Sequence, residues 1–125
     1  MKKIFTLGLI VFTVYSCAEK FEVIDDLSKD NFSLVDQTST PRSFPAITKG
    51  KLAVISYIFT NCPDICPLTT NNMRLIQEKV NEAKIQNVNF VSISFDPTQD
   101  KPETLRKFAE VRNLDLSNWT FLTGD

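Results

Sequence analysis

Residues 52–59 form a nearly continuous apolar run, Leu-Ala-Val-Ile-Ser-Tyr-Ile-Phe, rich in β-branched and aromatic side chains. Polar and apolar positions do not alternate along it, as they would in a strand with one face in water. The run therefore predicts a strand buried on both faces, at the centre of a mixed or parallel sheet. Such a strand has to be covered on both sides, which favours an α/β architecture.

A helix and a second strand are predicted directly after this run. Apolar residues, with Ile76 and Val80 among them, recur at helical spacing over 68–83, and a further apolar strand is predicted at 88–95. Strand, helix and strand within about 40 residues imply a right-handed crossover and parallel pairing. This unit is the centre of the predicted domain.

The flanking segments predict the rest of a mixed sheet. Short strands are expected at 32–36 and 43–45, a helix after residue 100, and the start of a last strand at 119–122. The predicted order is β-β-β-α-β-α-β, with helices against the sheet. The last strand has no following turn, partner or covering helix in the sequence. We therefore expect it to leave apolar surface uncovered, and the 125 residues to be part of a longer protein.

Two acidic residues near the second helix allow more than one interpretation. Asp100 precedes Pro102 and Glu103 in the pattern of a capping box, so we expect it to cap the helix. Asp96 precedes a proline and suits a turn. A pair of catalytic carboxylates is the weaker alternative. Trp119 is expected in the core.

Composition excludes several classes of protein. Lys and Arg number 14 against 15 Asp and Glu, so there is no basic excess for binding nucleic acid. Nucleic acid is therefore not expected as a partner. The chain has no His, which removes histidine as a general base or a metal ligand. Its 3 Cys are an odd number and cannot form a closed disulfide framework.

The amino terminus predicts export. Lys2 and Lys3 precede an apolar run at 4–15, which is shorter than the roughly 20 residues that span a bilayer and is typical of a signal peptide. Ser16-Cys17 resembles the lipobox of bacterial lipoproteins, in which the cysteine is lipidated. We expect a signal peptide at 1–16, a lipid-anchored tether at 17–30 and a domain at 31–125, in the cell envelope facing the periplasm or exterior. A cleaved soluble protein and an uncleaved anchor are the alternatives.

The chemistry is concentrated between the buried strand and the first helix. Cys62 and Cys66 have C-x-x-x-C spacing, which brings both sulfurs to one side of a helical turn if Cys66 lies near the helix start. A helix amino terminus favours the thiolate. Two thiolates suit Cu(I), and the same pair could instead form a redox-active disulfide. A structural disulfide and two buried apolar cysteines are the less reactive alternatives.

The segment 59–67, Phe-Thr-Asn-Cys-Pro-Asp-Ile-Cys-Pro, resembles the signature of the SCO/SenC family. Segments 94–102 and 119–124 resemble two further stretches of that family. The resemblance implies a membrane-tethered, thioredoxin-like copper protein that assists assembly of the CuA centre of cytochrome c oxidase. It makes Cys62 and Cys66 copper ligands. The family's third ligand is a histidine well downstream of the last stretch, so the resemblance also implies a domain incomplete at its carboxyl end.

Three functions are compatible with these residues. The first is a metallochaperone that passes copper to the copper-centre subunit of the oxidase or to another copper or redox protein. The second is a thiol–disulfide oxidoreductase in which Cys62 and Cys66 are catalytic and reduce the cysteines of an acceptor. The third is a peroxiredoxin-like or sensory protein that uses one reactive thiol.

Overall fold

The structure is a computed structural model and describes residues 24–124. The predicted signal peptide at 1–16 and Cys17 lie outside these residues. Of the predicted tether, residues 24–30 are described; they are almost entirely exposed and contain one turn of 3-10 helix, Leu27–Lys29. No helix in the described part of the chain is both long and apolar enough to cross a membrane.

Five strands and two helices follow in the predicted order. They are β1 (Phe32–Asp36), β2 (Pro41–Phe44), β3 (Leu52–Ile58), α1 (Ile65–Glu82), β4 (Val88–Ser94), α2 (Pro102–Val111) and β5 (Trp119–Thr123), with one 3-10 turn at Ala46–Thr48. The strands form one sheet in the order β2-β1-β5-β4-β3. β3, β4 and β5 are parallel, whereas β1 is antiparallel to β2 and β5. The mixed α/β sheet predicted from the sequence is confirmed.

Two expectations about strand position are wrong. The run at 52–59 forms an edge strand of the described sheet, and its Tyr57 side chain is 61% exposed. The last strand, β5, lies between β1 and β4 and is paired on both sides, with Phe121 and Leu122 fully buried. Apolar composition shows that a strand is favourable, but the pairing partners decide its place in the sheet.

The main core cluster lies between the sheet and both helices, and a smaller one is formed by Phe44, Val91 and Leu122. Phe90, Trp119 and Phe121 form a chain of aromatic contacts on this face, and α1 adds Met73 while α2 adds Leu105. The indole nitrogen of Trp119 donates a 3.0 Å hydrogen bond to the Ser92 hydroxyl, so this large side chain is buried with its polar atom satisfied. The predicted core role of Trp119 is confirmed.

Replacing Trp119 with Phe should destabilise the domain by about 2–3 kcal/mol. The change leaves a cavity and removes one of the two side-chain partners of the Ser92 hydroxyl, the other being the Ser56 hydroxyl. Urea unfolding followed by circular dichroism measures the loss of stability. Tryptophan fluorescence is unsuitable, because the variant lacks the only tryptophan of the chain. Phe95→Leu is the control: its ring is mostly exposed, and the change should cost less than about 0.5 kcal/mol. Equal losses in the two variants would contradict this account of the core.

Candidate metal centre

The two cysteines flank the start of α1. β3 ends at Ile58 and α1 begins at Ile65, so Cys62 lies in the connecting loop and Cys66 in the first turn of the helix. The helix begins three residues earlier than the apolar spacing predicted, and this places Cys66 inside it. Both side chains are buried, with 7% of Cys62 and 4% of Cys66 exposed.

The sulfur atoms of this pair face each other. The Cys66 backbone N–H donates to Cys62 Sγ over 3.3 Å, and the two thiols lie close enough for each to shift the pKa of the other. The Cys62 N–H in turn donates to the Phe59 carbonyl, also over 3.3 Å. Both cysteines are free thiols in this structure. The expectation that C-x-x-x-C spacing brings the sulfurs to one side of a helical turn is therefore confirmed.

The environment makes the two thiols chemically different. Backbone N–H groups of Asp64 and Cys66 point at the Cys62 sulfur and lower the pKa of that thiol, because they stabilise its thiolate. Burial raises the pKa of Cys66, and the nearby Cys62 sulfur and Asp100 carboxylate add to the rise by disfavouring a second negative charge. Cys62 is therefore the first of the pair to ionise.

Asp100 does not cap α2. The residue before that helix is Lys101, and no side chain caps it. The Asp100 carboxylate instead accepts hydrogen bonds from the Thr60 N–H at 2.9 Å and from the Ser94 hydroxyl at 2.6 Å. It also accepts one from the Thr60 hydroxyl. The capping prediction was wrong because a partner 40 residues away in sequence competed for the same carboxylate. Local spacing carries no signal of that contact.

The other candidate acids have separate roles. Asp96 closes a turn: its carbonyl accepts from the Asp100 N–H at 2.9 Å and its carboxylate from the Thr98 hydroxyl at 2.6 Å. The turn predicted at Asp96 is confirmed. Its carboxylate and that of Asp100 thus bind different donors. Asp64, between the cysteines, is exposed.

The donor set at this site consists of two sulfurs. Within residues 24–124, no group of three or more His, Cys, Asp or Glu side chains converges on a point that could hold a metal. Two adjacent thiolates suit a soft monovalent cation, which accepts few ligands, better than a structural zinc ion, which takes four. The chemistry of these donors therefore fits Cu(I) and does not fit a closed zinc site.

Comparisons with known proteins agree with this fold. The SCO1/SenC family model matches residues 24–125. A SCO1 protein homolog from Bacillus subtilis is 36% identical over 121 residues, which are 95% of this chain and 61% of that protein. This chain is thus shorter than the relative it matches.

Solved structures show the same arrangement. A SCO1/SenC family lipoprotein from Bacillus anthracis matches with a TM-score of 0.71 and 41% identity, over 77% of this chain and 56% of that one. BsSco, a member of the Sco family of cytochrome c oxidase assembly proteins in which a disulfide switch was identified, gives 0.69 and 38%, over 77% and 55%. Copper-bound ScoI from Bradyrhizobium japonicum gives 0.67 and 28%, over 77% and 58%.

The family model covers the whole described part of the chain, and the mixed sheet with its helices recurs in solved members of the same family. The thioredoxin-like fold expected from the resemblance is thereby confirmed. The chain belongs to the SCO1/SenC family.

Proposed function

We propose that this protein binds copper through Cys62 and Cys66 and delivers it during assembly of the CuA centre of cytochrome c oxidase. The observation that carries the proposal is the pair of buried thiols at the start of α1, where the Cys66 backbone N–H donates to Cys62 Sγ. Support comes from the copper-bound ScoI and from BsSco, which belongs to a family of oxidase assembly proteins. The acceptor is the copper-centre subunit of the oxidase or another copper or redox protein.

The difference between the two thiols suits delivery by ligand exchange. Cys62 ionises first and offers a thiolate to an incoming Cu(I) ion, and binding at Cys66 then releases the proton of the second thiol. During transfer, each copper–sulfur bond to this chain is replaced by a bond to an acceptor cysteine, and the released thiolates regain their protons. Copper stays monovalent throughout, so no oxidant or reductant is required.

The same thiols could reduce acceptor cysteines. The disulfide switch identified in BsSco supports this second candidate. In that reaction, the Cys62 thiolate attacks an acceptor disulfide, and Cys66 then displaces the acceptor thiol as a Cys62–Cys66 disulfide forms. Two electrons pass to the acceptor, and no metal takes part. Copper affinity measured beside the reduction potential separates the two functions.

We also propose that the protein is exported with a signal peptide at 1–16 and anchored by lipid at Cys17, the first residue of a tether at 17–30. The basic and apolar segments before Cys17 support this, as does the Bacillus anthracis lipoprotein of the same family. The domain at 31–125 would then work at a membrane surface of the bacterial cell envelope. Attachment there would keep it close to a membrane-bound oxidase.

Replacing Cys62 with Ser should weaken Cu(I) binding by at least about a hundredfold, because one of two soft donors is lost. Competition with a chromophoric Cu(I) chelator under reducing conditions measures the affinity, and the unchanged chain should bind one ion. Asn61→Ser is the matched control, since it changes an exposed neighbour and keeps both thiols. Undiminished binding by the Cys62 variant would refute the proposed ligand set.

The two thiols should also differ in reactivity. With Cys17 replaced by Ser, the Cys66→Ser variant leaves Cys62 and the Cys62→Ser variant leaves Cys66. Alkylation by iodoacetamide near pH 7 should be about tenfold faster at Cys62, because only the thiolate reacts. As the pH increases, the alkylation rate at Cys62 should rise earlier than that of an ordinary thiol, because its pKa is lowered. The rate at Cys66 should rise later, because its pKa is raised. The reverse order would contradict the described environment.

Lipid attachment predicts a change of cell fraction. In a bacterial host, the unchanged protein should incorporate radioactive palmitate and sediment with membranes. Cys17→Ser should abolish the label and release the protein from the membrane fraction. Cys62→Ser, which removes a different cysteine, should leave both results unchanged. Labelling that persists without Cys17 would rule out this anchor.

A further inference from the structure

Asp100 is a completely buried acid that the proposed function does not use. Its exposed fraction is 0%, and a carboxylate in that position is strongly unfavourable unless hydrogen-bond donors surround it. The Thr60 N–H, the Thr60 hydroxyl and the Ser94 hydroxyl supply those donors. Asp100 therefore joins three parts of the chain: the loop after β3, the end of β4 and the turn before α2.

The loop held by Asp100 leads directly into the two cysteines. Thr60 lies two residues before Cys62, and its neighbour Phe59 is hydrogen-bonded to Cys62 through its backbone. The Phe59 carbonyl accepts from the Cys62 N–H, and Phe59 packs against the buried cluster that contains both cysteines. A displacement of Thr60 would therefore move the Phe59 peptide against the first turn of α1.

We propose that Asp100 is a positioning residue that sets the spacing of Cys62 and Cys66 by fixing Thr60 to the end of β4. Its two oxygens accept from loop and strand at once, so neither can move independently of the other. The inference deepens the proposed function, because the copper affinity of the pair depends on this spacing. The spacing itself is a property of the metal-free chain and can be measured without copper.

The test is the thiol–disulfide equilibrium of the metal-free protein with glutathione. One oxidised glutathione converts the Cys62–Cys66 dithiol into a disulfide and yields two reduced glutathione molecules, so the equilibrium constant reports how closely the fold holds the sulfurs. Asp100→Asn keeps the shape but places an NH2 group against donors. It should change the constant by at least tenfold, which is about 30 mV. Cu(I) affinity should fall by a similar factor.

Asp36→Asn is the matched control. Asp36 is also buried, and it accepts hydrogen bonds from Thr38, Thr40 and Arg42 beside the β1–β2 turn, away from the cysteines. The control should lose stability but change the glutathione equilibrium less than about twofold. Equal shifts in the two variants, or a shift below twofold in Asp100→Asn, would overturn the positioning role.

Two milder variants keep the test decisive if Asp100→Asn does not fold. Thr60→Val removes the hydrogen bond from the loop hydroxyl to Asp100, and Ser94→Ala removes the hydrogen bond from β4 to Asp100. Each should shift the glutathione equilibrium by at least threefold, and no shift in both would refute the proposal. Because this readout contains no metal, a failure of the unchanged protein to bind copper would refute the proposed function alone.

Discussion

The parallel pairing of β3 with β4 is the constraint on which the site depends. Seven residues of each strand pair in register, from Leu52 with Val88 to Ile58 with Ser94, so both strands end at the same edge of the sheet. The chain leaving β3 carries the dithiol, and the chain leaving β4 carries the turn to Asp100. Functional sites of α/β proteins lie at such carboxyl ends because loops that are distant in sequence converge there. Here the convergence brings a buried carboxylate to the loop that leads into the two cysteines.

Burial and reactivity are combined at the dithiol in an uneven way. An apolar environment disfavours a thiolate, and this raises the pKa of Cys66. The N–H groups at the start of α1 offset the same cost at Cys62, where they lower the pKa. One thiol is thus ready to bind a soft cation or attack a disulfide, while the second completes either reaction. The same geometry therefore suits copper delivery and thiol exchange. Measuring the reduction potential of the Cys62–Cys66 pair and its Cu(I) affinity will decide between them.

The position of β3 shows how far apolar composition can be interpreted. Its residues resemble those of a central strand, yet it forms an edge of the described sheet and leaves Tyr57 exposed. The predicted burial on both faces was an inference from composition, and composition does not name the neighbours of a strand. The wrong prediction of a central strand did not affect the predicted site, because the position of the loop after β3 is set by the pairing of β3 with β4.

The sequence by itself determined the order of the elements, the crossover and the presence of a dithiol at the start of a helix. These follow from hydrophobic periodicity and short spacings, which local physics translates directly into structure. Only the tertiary structure decided that β5 lies between β1 and β4, that Cys62 and Cys66 have different pKa shifts, and that Asp100 binds Thr60. The position of β5, the burial and nearby Asp100 charge that raise the pKa of Cys66, and the bond from Thr60 to Asp100 depend on groups far apart in the chain, so no local pattern encodes them. The N–H groups that lower the pKa of Cys62 are local.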